Sequence, residues 1–257
     1  MDIRITPRYL VAFAALILLC GLGHEFAHHV TAAAVCGHFG YKTFNSFDLA
    51  AQCGNRPLAF VLSNWAGPLF TYALMWLGWH RLDSSNPTTR RLGLALIFAN
   101  FPVNRLFFAM LGWNDEQFVT RTVIGEGHLA FWLTNLAIWV MAVPPLVAAW
   151  RALPPRRRFW WFTGFFLLPF AFVLGFGMVM ENWLLLDKKF LADTVLGIPL
   201  LLVLTEAFCL ATYFGLREHL AGGANLGVPC ATHSDSKLLA KIGPANTSAE
   251  ASLHAFP

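Results

Sequence analysis

The sequence predicts an all-α, polytopic membrane protein with about six transmembrane helices. Three observations carry that prediction. Charged residues make up only 12% of the 257 positions, where a soluble domain carries about 25%. The chain is rich in large apolar side chains, with 24 Phe and 10 Trp. Apolar runs of about 20 residues, the length a helix needs to cross a bilayer, recur along the chain and are separated by turn and charge clusters such as "HRLDSSNPTTRR" and "RALPPRRR".

The runs fall, in order, at 9–30, 57–79, 91–112, 128–150, 159–182 and 194–215. The first is apolar through "YLVAFAALILLCGLG" and ends on the polar "HEFAHHV". The second contains Gly67 and Pro68, a pair that suits a kink with close helix contact. The third holds Asn100, Pro102 and Asn104, which loosen a helix because proline removes a backbone donor. The fourth has no charged residue, the fifth carries only Glu181 near its end, and the sixth carries Glu206. Glu181 reads as interfacial. Arg105 and Glu206 lie at similar depths in their segments and are expected to form a buried pair, since an unpaired charge there is costly. Residues 1–116 are thus read as a three-helix core, 117–216 as three further helices and 217–257 as a flexible polar tail.

Arginines and lysines in the short loops give the orientation. Arg4 and Arg8, then Arg81, Arg90 and Arg91, then Arg151 and Arg156 to Arg158, then Arg217, Lys237 and Lys241 mark one face; the alternate loops are poorer. Both termini are therefore expected in the cytoplasm, and the expected location is the inner membrane of a bacterium. A cleaved signal peptide is the alternative reading of the first segment, but such a peptide gives no reason for "HEFAHH" after its apolar core. The net charge of +4 does not suggest a nucleic-acid partner. The five cysteines include no CxxC pair. Cys20 and Cys209 lie in apolar runs as packing residues. Cys36 and Cys53 share the first loop, on the outer face, where a disulfide can form.

"HEFAH" supplies His24 and His28 four residues apart, hence on one helix face. Two imidazoles one turn apart can grip one zinc ion, and Glu25 beside them can take a proton from a water on that ion. The pattern arises by chance in such a chain about 1% of the time. A catalytic site needs a third protein ligand. Two rival readings stand beside this one. In one the histidines only cap the first helix among lipid headgroups; in the other His24, His28 and His29 form one HxxxHH box of a di-iron enzyme. The second reading lacks the further boxes, because His38, His80, His128, His219, His233 and His254 stand alone.

With HExxH in a membrane helix, "NWAGPLFTY" in the next and "NFPVNRLFFAMLGWNDE" in the third, the chain resembles the site-2 protease family of intramembrane zinc metalloproteases. The likeness spans residues 9–116. It implies a zinc-dependent endopeptidase in which His24, His28 and Asp115 bind Zn2+ and Glu25 is the catalytic base. It also implies a membrane-anchored protein as substrate, cut where its helix unwinds. Glu116 and His128 are substitutes for the third ligand. Thr71 stands where the family has a substrate-orienting Asn, for which Asn64 is the nearest substitute. No Gly follows Asp115, and the loop charges put the site near the outer face. The alternatives are a non-catalytic membrane protein with a structural or regulatory metal, and a membrane metal enzyme acting on lipids. Oligomeric state is not legible in the sequence.

Overall fold

In a computed structural model, which describes residues 5–54 and 56–222, the chain is an all-α integral membrane protein with almost no sheet. Among the described residues, six helical spans are long and apolar enough to cross a membrane. Arg4, Cys230, Lys237, Lys241 and the tail from residue 223 onward lie outside the described residues.

Helix α1 (Pro7–Cys36) is set by Thr6, whose hydroxyl accepts from Tyr9 N at 3.1 Å, and by Pro7 in the first turn. Both fit a helix start, where an N–H has no internal partner. The helix does not stop near residue 30. It continues to Cys36 and ends on Gly37, whose φ of 78° is the left-handed stop that glycine permits. A disulfide joins Cys36 to Cys53 across 17 residues, with the Cα atoms 5.0 Å apart. Closing a loop of that size stabilises the fold by roughly 3 kcal/mol, by restricting the unfolded chain. Helix α2 (Pro57–Leu82) runs unbroken through Pro68.

The third expected span is three helices. Helix α3 (Pro87–Ala99) stops where Pro102 withholds an N–H and drives the residue before it out of helical geometry. Phe101 takes φ 32°, and the Asn100 amide turns back onto Leu96 O at 2.8 Å. Helix α4 (Pro102–Leu111) ends on left-handed Gly112. Asn114 then caps α5 (Asp115–Ile124), with its side chain accepting from Gln117 N at 3.2 Å. Asn114, Asp115 and Glu116 therefore begin a helix inside the bundle, whereas the sequence reading had the third segment end on them at a membrane face. Two acidic residues in that first turn suit the positive end of a helix dipole.

Helix α6 (His128–Ala152) packs against α2, α4 and α5. Helix α7 (Arg158–Gly177) continues as a π-helical stretch to Asp187. The sixth segment does not start as a helix. Thr194–Val195 (β1) pairs antiparallel with Ile198–Pro199 (β2), and α8 follows at Leu200–Leu220. The helix thus takes in the first residues that the sequence reading assigned to the tail. The main core joins Phe13 and Ile17 of α1, Tyr72 and Met75 of α2, Leu94 to Ala99 of α3, Ile138 and Ala142 of α6, and Phe165 of α7. Helix α8 packs along α1.

Candidate metal centre

His24 and His28 are buried on the face of α1 that meets α2. Twelve residues separate His24 from the end of α1, so it lies about 18 Å inside that end at 1.5 Å per residue. The polar cluster is therefore within the bundle and not a cap at the helix end.

Helix α2 fixes both rings. His24 Nδ1 is 2.9 Å from Thr71 Oγ1, and His28 Nδ1 donates to Ser63 O at 2.6 Å. Donation to Ser63 O leaves the His28 lone pair on Nε2, as outer partners do for metal-binding histidines, while the Thr71 hydroxyl can donate to or accept from His24 Nδ1. The two Nε2 atoms face each other at 3.0 Å. At that distance either a proton on His24 Nε2 makes a hydrogen bond to His28, or a cation can sit between two lone pairs. Gly67 permits the approach: a Cβ there would meet His28 Nε2 and come within 2.6 Å of His24 Cε1. The "NWAGPLFTY" stretch thus acts through Gly67 and Thr71. Asn64 does not reach the site, because its amide donates to Phe60 O of its own helix.

Asp115 completes the set. Its Oδ2 lies 3.3 Å from His24 Nε2 and 3.7 Å from His28 Nε2. Three ligand atoms sharing one tetrahedral zinc at about 2.0–2.1 Å stand about 3.3 Å apart. The triangle of 3.0, 3.3 and 3.7 Å is of that size. Glu25 also brings a carboxylate oxygen within 4.8 Å of the imidazole nitrogens. Glu25 and Asp115 thus each bring a carboxylate oxygen near the two imidazoles, and both line the same cavity.

Of the two substitutes, Glu116 borders the cluster through Arg105 and His128 stands apart. Glu116 is buried and accepts from Tyr72 Oη at 2.7 Å, and His128 starts α6 exposed to the surroundings. His29 does not meet headgroups. It is fully buried, bonded through Nε2 to Leu196 O at 2.9 Å and packed on Phe39. Nor do Arg105 and Glu206 pair. Lys42 takes Glu206 at 3.1 Å, and Arg105 turns to the site.

Arg105 is the residue whose role sequence reasoning missed. Nη1 is 2.9 Å from Asp115 Oδ2 and 3.6 Å from Glu116 Oε2, and Nη2 is 2.7 Å from His24 Nε2. An arginine ten residues before an acidic pair gives no periodic signal; the break at Phe101 and the turn at Gly112 bring them together. Three carboxyl groups, those of Glu25, Asp115 and Glu116, and two imidazoles are buried or partly buried around this one guanidinium. A bilayer makes uncompensated charge costly, so an acid-rich cluster there calls for a cation or protons.

Glu25, His24 and Asp115 open on a cavity of about 440 Å³ between α1, the first loop, α4 and the α7/π-helical segment. Its walls are apolar at Ile17, Leu22, Phe108, Phe170 and Val173, and polar at Asn45, Asn104, Asn114, Glu181 and Asn182. Glu181 is therefore a wall residue, with Oε1 accepting from Thr43 at 2.8 Å. Outside the spans, partial burial raises the Tyr41 phenol above its usual range, and the nearby Glu181 and Asp48 carboxylates add to that.

Comparisons with protein families, with characterised proteins and with solved structures find no match for the chain.

Proposed function

We propose that the chain is a zinc-dependent intramembrane endopeptidase of the kind the site-2 protease resemblance implies. The observation that carries this reading is the triangle of His24 Nε2, His28 Nε2 and Asp115 Oδ2, at 3.0–3.7 Å, with Glu25 facing a cavity beside it. Those three atoms would hold the ion. Zinc bound there would supply Lewis acidity to a water and to the scissile carbonyl. Glu25 takes the proton from the attacking water and returns it to the leaving amine. Thr71 and Ser63 keep the imidazoles aimed, and Arg105 holds Asp115. The substrate is a membrane-anchored protein with an extended segment lying in the cavity, since helical backbone shields its carbonyls.

One contact favours a second reading. The Arg105 guanidinium, 2.7 Å from His24 Nε2 and 2.9 Å from Asp115 Oδ2, neutralises part of the cluster by itself. On that reading the polar group is a structural ion network without catalysis. Metal analysis separates the two. The purified parent is expected to carry about one zinc per chain and the His24→Ala/His28→Ala variant none. Glu25→Gln is expected to keep zinc and to lose cleavage of a membrane-anchored reporter substrate by at least about 100-fold. A parent without zinc, or a Glu25→Gln variant as active as the parent, would overturn the peptidase reading.

The arginine-rich second and fourth loops support cytoplasmic termini, and the location proposed with them is the inner membrane of a bacterium. A reporter fused after Arg158 is then expected to behave as cytoplasmic and one near Asn45 as external. The reverse pattern would turn the centre toward the cytoplasm.

A further inference from the structure

The loop between α1 and α2 is more than a connection. Phe47 lies flat on the His28 imidazole, with ring centroids 4.6 Å apart and planes within 9°. Phe44 sets its edge against Phe176 at 5.7 Å, and both rings line the cavity, as does Asn45. The loop therefore forms one wall of the cavity and covers one of the two histidines.

Two polar side chains and one buried ring hold it there; the ring is Phe44, clustered with Leu22, Leu185 and Ile198. Lys42, fully buried, reaches Glu206 of α8 at 3.1 Å, and its backbone N–H donates to Gly197 O of the hairpin at 3.0 Å. Thr43 donates to Glu181 of the π-helical stretch. Glu181 and Glu206 belong to the two least buried spans: the windows of the α7/π-helical span and α8 are 11% and 17% buried. The covalent tie is the disulfide at the base of the loop, where Cys53 is buried and Cys36 is partly accessible.

We propose that this loop is a latch over the candidate centre and that the Cys36–Cys53 bond is its catch, so that an external dithiol opens the cavity. The dithiol gives two electrons and two protons to the Sγ–Sγ bond, leaving both cysteines as thiols and itself as a disulfide. Freed at its base, the loop keeps the ties of Lys42 and Thr43 and the packing of Phe44 in its apolar cluster, and Phe47 lifts from His28. The latch rests on the peptidase reading only for what lies beneath the loop.

The test is hydrogen exchange read by mass spectrometry on the full chain in lipid nanodiscs, before and after dithiothreitol. The amides of Lys42, Thr43 and Asp48 are bonded to Gly197 O, Ser46 O and Tyr41 O. Their exchange is expected to quicken at least tenfold on reduction, with the interior of α1 unchanged. A Cys36→Ser/Cys53→Ser variant is expected to match the reduced parent. If it fails to fold, the parent with and without dithiothreitol still decides, with the thiols counted by alkylation. Unchanged loop exchange in a chain shown to be reduced overturns the latch. In zinc-loaded chain, release to a soluble chelator is expected to quicken on reduction; faster loop exchange with unchanged release overturns the latch as a cover of the centre. A parent that binds no zinc overturns the peptidase reading, while the exchange experiment still decides whether the loop is a latch.

Discussion

The helices that carry the polar cluster and the helices at the rim differ in what surrounds them. The windows of α1, α2 and the broken third span are 50%, 44% and 56% buried; those of the α7/π-helical span and α8 are 11% and 17%. Buried ionisable groups concentrate in the first set: His24, Glu25, His28, Arg105 and Glu116 all lie there, each with charged or hydrogen-bonding neighbours within the bundle. The rim helices bring one acidic residue each toward the interior, Glu181 and Glu206, and the first loop meets both. Lipid cannot satisfy a polar group, so chemistry needs the interior, and the rim is left to supply walls and attachment points.

The largest effect that would break this contrast is at Gly67. A Cβ there meets both imidazoles at once. Gly67→Ala is expected to abolish stoichiometric zinc in the purified protein, measured by elemental analysis, and to lower stability by about 1–3 kcal/mol through overpacking. Full zinc content in that variant would mean that the α1–α2 contact can relax and does not set the site.

A smaller effect sharpens the contrast. Met75 on α2 has no exposed surface, while Leu168 on α7 is 54% exposed. Lipid is as apolar as a protein core, so the exposed leucine gains no hydrophobic advantage from its position. What Met75 loses on truncation is packing. Met75→Ala is expected to cost about 2 kcal/mol, and Leu168→Ala less than about 0.5 kcal/mol, read as shifts in an unfolding titration in mixed micelles. Equal costs would mean that α7 is packed as tightly as the inner helices.

Some of the site was legible before folding. The i, i+4 spacing of His24 and His28 puts both rings on one face whatever the helix packs against, because the period of an α-helix is local. Glu25 follows from the same three positions. Asp115 was a candidate by resemblance and by its place after the third apolar run. The ring partners Ser63 and Thr71 were not legible as such, since a hydroxyl and a carbonyl in a membrane helix more often serve their own helix. The clearance at Gly67 was legible only as a close contact, without the partner that needs it.

The sequence by itself determined the class and the number of spans, because apolar length and charge deficit are sums over residues and need no partner. It also determined that His24 and His28 share one helix face, which a single helix turn defines. The tertiary structure alone decided what completes that pair. Proline 102 breaks the third span at Phe101, a second break at Gly112 restarts the chain as α5, and Asp115 arrives beside His24 from 91 positions away with Arg105 beside it. It also decided that Arg105 and Glu206 part, that His29 is buried under the hairpin, and that Phe47 covers His28. Each of these depends on where two distant segments meet, and side-chain partners across such distances are set by packing in three dimensions, which no local period records.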